Sequence, residues 1–182
     1  MLYHVIKGVC PTATYTNSGL VDLNKLINDV IHDEARNDTI SITIGREYKN
    51  NFIVLTSKMD QLDEIQNTAH DFHIHHVRVD STTPLERIHF GSRVMGMTYN
   101  TFDRIMQLCN SNKEKNRELF PEGTRILMAA PHKEIRNIID YLRNNKLKTS
   151  IYDVHDNNNL LQLWTNQHQI EYDVSHVTRP KN

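Results

Sequence analysis

The chain has 182 residues and a mass of 21.3 kDa, with 38% hydrophobic and 24% charged residues. With Gly at 6 and Pro at 5, this composition excludes collagen-like, fibrous and disordered classes, and the length fits one domain or two compact lobes. A formal net charge of −1, from 21 Lys and Arg against 22 Asp and Glu, leaves no polybasic tail for indiscriminate attraction to nucleic acid.

Leu2 to Lys7 reads as a first strand, followed by a Thr, Asn, Ser and Gly-rich loop over 12–19. A helix is predicted over 22–36, where Leu23, Leu26, Ile27, Val30 and Ile31 recur at helical spacing. The β-branched run 39–45 and the apolar run 52–56 predict two strands joined as a hairpin. Ser57 suits the start of the next helix, whose buried side includes Met59, Leu62 and Ile65, and 73–79 then reads as a strand. The polar connector 81–84 marks a boundary.

The second half opens with a predicted strand over 87–94 and a helix over 99–110 capped by Thr98, with Tyr99, Phe102, Ile105, Met106 and Cys109 on one face. The charged stretch 111–123 reads as exposed. A strand over 124–130 leads to a helix opening at Pro131, with Ile135, Ile138, Ile139 and Leu142 as its apolar stripe. Strands are predicted over 148–154 and 160–164, separated by a polar turn at 155–159.

The expected fold class is therefore α/β: two similar strand-helix-strand-helix-strand lobes with mixed sheets, over 1–83 and 84–182. Internal duplication is one source of that pattern; simple alternation of helices over a sheet is the other. Cys10 and Cys109 lack disulfide or zinc spacings, which fits a reducing compartment. The short, interrupted apolar start is unlike a signal peptide, and no run reaches membrane-spanning length. A cytoplasmic protein that does not enter membranes is expected.

The densest unusual cluster is His70-Asp71-Phe72-His73-Ile74-His75-His76. On an extended chain His73 and His75 share one face, and His70, Asp80 or His89 could supply a further ligand, but no strong metal-binding spacing confirms a zinc site, so neither metal nor cofactor is expected. His73-Ile74-His75 and His176-Val177-Thr178 invite comparison with phosphoesterases that use paired His-x-Thr or His-x-Ser elements, in which one imidazole removes a proton and the other donates one. Phe120-Pro121-Glu122-Gly123-Thr124-Arg125 resembles a substrate-binding motif of glycerolipid acyltransferases, yet the catalytic His-Asp motif of that family is absent upstream.

Three segments carry a further resemblance: Arg93-Val94-Met95-Gly96-Met97-Thr98, then Thr124-Arg125-Ile126-Leu127-Met128, then Tyr152-Asp153-Val154-His155-Asp156. Together they resemble the archaeal-type peptidyl-tRNA hydrolase family over about 92–158, roughly a third of the chain. The resemblance implies a small α/β domain, a basic surface for tRNA and hydrolysis of the ester between peptide and tRNA, with Asp153 as the acidic residue carried across. The family's Gly-Lys-rich entry and Gln-containing helix motif are absent around 97–103.

Charge is unevenly spread. Residues 1–80 carry 7 basic and 11 acidic groups, 86–150 carry 12 and 7, and 151–182 carry 2 and 4, so the middle region presents positive charge to phosphate or an acidic partner. The residues favoured for nucleic-acid or phosphate contacts are Arg93, Arg125, Lys133 and Arg136; those favoured for catalysis are His73, His75, Asp153 and His155. The expected function is an RNA- or nucleotide-interacting protein, regulatory in one version. The alternatives are a phosphodiesterase or peptidyl-tRNA-hydrolase-like ester hydrolase, and a regulatory or assembly factor that binds a protein partner or a second copy of itself.

Overall fold

The computed structural model describes residues 2–8, 19–47, 50–70, 76–88, 94–156, 158–166 and 169–170. Among these residues there are six strands: β1 (Leu2–Gly8), β2 (Phe52–Thr56), β3 (His76–Arg78), β4 (Val94–Thr98), β5 (Arg125–Met128) and β6 (Ser150–Asp156). Seven α-helices connect or follow them: α1 (Leu23–Ile31), α2 (Glu34–Arg46), α3 (Met59–His70), α4 (Tyr99–Cys109), α5 (Lys113–Leu119), α6 (Ile135–Asn144) and α7 (Asn159–Thr165). The strands form one sheet in the order β1-β6-β5-β2-β4-β3, and every pairing is parallel.

The α/β expectation holds, but the two mixed sheets do not. Strands of 1–83 and 84–182 interleave: β6 and β5 stand between β1 and β2, and β4 stands between β2 and β3. The physical reason is long-range pairing. β1 finds its neighbour in β6, so the first half alone would leave an unpaired strand. The expected boundary instead links the adjacent strands β3 and β4.

Both sheet faces are covered, which explains why β2 is buried at all five positions. Ile40 and Ile44 of α2 and Leu62 and Ile65 of α3 pack with Phe52, Val54, Leu127 and Val154 on one face. Phe102 and Ile105 of α4 and Ile138 and Leu142 of α6 pack with Ile53, Leu55, Met128 and Ile151 on the other. Fully burying each such side chain stabilises the fold by about 1.5–3 kcal/mol.

The structure departs from the sequence reading at several elements. The predicted strand 39–45 belongs to α2, because Asp33 caps a new helix by accepting from the Arg36 amide, and Ile40 and Ile44 then share its buried face. Packing overrides the β preference of Ile and Thr there. The expected hairpin is accordingly absent, and β2 pairs in parallel with β4 and β5. Residues 160–164 are helical, with Asn158 accepting from the Leu160 and Leu161 amides. The charged stretch 111–123, largely exposed as expected, contains α5, capped by Asn112, and β6 extends through His155 and Asp156 instead of turning at 155. The strand expected at 87–94 starts where that range ends; Leu85–Arg87 is a short 3-10 turn, and 89–93 lie outside the described residues.

The Thr98 cap and the buried stripes of α4 and α6 match the reading. Phe120 to Arg125 is a structural turn: Phe120 packs edge-on against Phe102 and Tyr141, the Thr124 hydroxyl donates to the Pro121 carbonyl at 2.7 Å, and Gly123 supplies a φ of 87°. That organisation accounts for the motif without acyl transfer.

Candidate functional site

In a parallel sheet, ligands favour the crevice beyond the carboxyl ends of strands whose connections leave toward opposite faces. Here the chain leaves β2 toward the α3 face, and leaves its neighbours β4 and β5 toward the α4 and α6 face. Polar side chains from distant parts of the sequence gather at this edge.

Arg36 and Asp156 form its core, with relative exposures of 0% and 1%. Arg36 Nε donates to Asp156 Oδ1 at 2.6 Å and Nη2 to Oδ2 at 3.1 Å, while Nη1 donates to the Ala129 carbonyl just past β5. The bidentate geometry joins α2, β5 and β6. Burial nevertheless pushes the Asp156 carboxyl above its ordinary range, against the opposing pull of Arg36. Gln61 of α3 donates to the same Ala129 carbonyl at 3.0 Å, and its own Oε1 is buried without a hydrogen-bond partner among the described residues. A buried acceptor left open is an invitation to water or ligand.

On the opposite side of β6, Asp153 and His155 share a face, with His155 Nε2 at 3.1 Å from Asp153 Oδ2. Tyr99, the first residue of α4, donates to the Ala130 carbonyl at 2.5 Å. Burial first, and the Asp153 carboxylate second, hold its phenol far above the usual range, so it remains a donor. The His132 ring stacks on Tyr99 with centroids 3.9 Å apart and planes 6° from parallel. Burial lowers the His132 pKa, favouring a neutral imidazole. At the start of α4 a cavity of about 270 Å³ is lined by Met59, Asp80, Ser81, Thr98, Asn100, Thr101 and Arg104. Arg104 holds its rim through the carbonyls of Asp80, Ser81 and Thr83.

The residues singled out in the sequence separate into three groups. Asp153 and His155 come together at the carboxyl edge, with Lys133 and Arg136 exposed at the end of the chain segment that leaves β5 there. Arg125 lies at the amino end of β5, where it pairs with Glu47, donates to the Tyr152 hydroxyl at 2.5 Å, and stands 5.9 Å from the Phe52 ring centroid. His73, His75 and Arg93, with Cys10, His89 and His176, lie outside the described residues. Arg36, Gln61, Tyr99 and His132 were not singled out as site residues. The available signal was Arg36 itself, a cation four and eight residues before Ile40 and Ile44 on one helical stripe.

Gly91, Gly96, Met97 and Thr98 repeat the spacing of a Gly-x-x-x-x-Gly-Lys-Ser/Thr phosphate loop, with Met in place of Lys. Gly96 lies inside β4, paired with Val54 and Arg78, and a Cβ there would overlap the Leu62 side chain. Its role is close packing of α3 on the sheet. Among the described residues no helix is long and apolar enough to cross a membrane, and no cluster of three or more His, Cys, Asp or Glu could hold a metal.

No protein-family model and no curated protein sequence matches the chain. Solved structures do. The structure of T4 UvsW superposes with a TM-score of 0.62 at 11% identity, over 93% of this chain and 39% of that one. The C-terminal part of the Fun30 ATPase domain superposes with a TM-score of 0.52 at 9% identity, over 81% of this chain and 49% of that one. The fold is shared with both. The chain spans less than half the length of either.

Proposed function

We propose that the protein is a nucleotide- or RNA-interacting α/β module that receives a phosphate-bearing ligand at the carboxyl edge of its sheet. The observation that carries this reading is that a buried Gln61 oxygen unsatisfied among the described residues, the imidazole of His155 held by Asp153, and the exposed cations Lys133 and Arg136 all stand at the carboxyl edge of the sheet, where a cavity also opens at the start of α4. Likeness to part of an ATPase domain supports a nucleotide as the ligand class. Because this chain covers only part of each neighbour, its action with a further module, supplied by a partner or a second copy, belongs to the same proposal.

A second reading rests on the Asp153–His155 pair. A carboxylate that orients an imidazole suits a general base, which fits phosphate-ester or peptidyl-tRNA-ester hydrolysis. Titration of the purified protein with ATP and with a short RNA at low salt tests the first reading, and product analysis on the same samples tests the second. Binding without turnover supports the module; turnover lost in Asp153→Asn and His155→Gln supports hydrolysis. Absence of binding to both ligands would overturn the nucleotide reading.

A further inference from the structure

A separate groove lies at the other end of the molecule. A cavity of about 370 Å³ opens where α4 ends, α5 begins and α6 ends, near the amino edge of the sheet. Among the described residues its lining includes Lys113, Arg117 and Lys146 and no Asp or Glu. A second cavity, of about 290 Å³, shares Asn144 and Asn145 with it and adds Asn110, Gln107 and Asn137, with Asp140 as its one acidic residue. The two cavities are neighbours that share the Asn144 and Asn145 wall, the first cationic and the second rich in amides.

The three cations are uncommitted. Lys25, Arg78, Lys115 and Lys148 pair with Asp29, Asp63, Glu118 and Glu122, whereas Lys113, Arg117 and Lys146 make no ion pair among the described residues. The groove floor is fixed in place. Asn116, 1% exposed, donates to the Cys109 carbonyl at 2.9 Å and to Asn145 Oδ1 at 3.1 Å, and accepts from the Tyr141 hydroxyl. Lys146 itself has a φ of 53°, the left-handed conformation in which a helix terminus usually places Gly or Asn. A lysine at that position sacrifices backbone ease for a charge at the groove mouth.

We infer that this groove binds a single-stranded polynucleotide, with backbone phosphates on Lys113, Arg117 and Lys146 and base edges on the amides of Asn110, Asn137 and Asn144. Ammonium and guanidinium groups meet phosphate oxygens, while an amide offers the paired donor and acceptor that base edges require. An acidic peptide would use the cations and leave the amide end unexplained. The groove is distinct from the carboxyl edge, so each assignment stands or falls alone.

The test is fluorescence anisotropy of labelled oligouridine and oligothymidine against the full chain over a salt series. Three phosphate contacts on a single strand give a log–log salt slope of about −2. Lys146→Gly relieves the left-handed backbone, so its thermal midpoint should equal or exceed the parent's, while affinity falls about five-fold and the slope shrinks by about 0.7. Arg117→Glu should weaken binding further, and neither variant should alter ATP binding. RNA or DNA preference identifies which strand the groove takes. Unchanged affinity and slope in both variants, or competition by polyglutamate as effective as by unlabelled oligonucleotide, would overturn the assignment.

Discussion

Arg36 and Asp156, 120 residues apart, meet in a bidentate ion pair almost wholly removed from water. The pair fixes the start of α2 against the end of β6 and positions the carboxyl edge on which the proposed site depends. A buried pair broken on one side leaves an uncompensated charge, at a cost of about 3–5 kcal/mol. Arg36→Ala and Asp156→Ala should each lose that much in urea unfolding, while Arg36→Met with Asp156→Leu should recover most of it. A loss below about 1 kcal/mol in both single variants would show that the pair does not hold the edge together.

Gly96 gives a second stability test. Alanine there should destabilise the protein by about 1–3 kcal/mol through overlap with Leu62. Gly96→Ala combined with Leu62→Ala should cost less than the sum of the two changes, as read in a double-mutant unfolding cycle.

His132 predicts a pH dependence. Its folded pKa lies below the ordinary value of 6.5, so the unfolded chain binds more protons as pH falls through that value. The stability it contributes is present above pH 6.5 and declines as pH drops from there toward the folded pKa. His132→Phe keeps a ring against Tyr99 and should flatten this part of the profile. Equal slopes for parent and variant in urea titrations across that window would contradict the assignment.

Arg125 and Lys133 separate structure from binding. Arg125 is engaged by Glu47 and Tyr152 at the amino end of β5, so Arg125→Ala should lower the unfolding midpoint and leave ATP affinity within about two-fold. Lys133→Glu, at an exposed position by the carboxyl edge, should do the reverse. Calorimetry and thermal unfolding on the two variants decide the matter.

What the sequence disclosed depended on range. Local signals were sufficient for β2, where four successive apolar residues from Phe52 to Leu55 leave no polar face, and for α4, where Thr98 and a regular stripe agree. They failed at 39–45 and 160–164, because alternating β-branched or leucine-rich segments fit either period until a cap and a packing partner choose between them. Sheet order was hidden because β1 meets β6 across nearly the whole chain. For the same reason Asp153 and His155, two positions apart, were visible as a pair, whereas Arg36, Gln61 and Tyr99 became neighbours only through the fold.

The most direct test of the central claim is a titration of isotope-labelled protein with ATP, followed by amide chemical shifts. The account predicts saturable shifts concentrated at Gln61, Tyr99, His132, Lys133 and Asp153, with Lys113 and Lys146 unmoved. Absence of shifts at the carboxyl edge, or shifts confined to the amino edge, would contradict it.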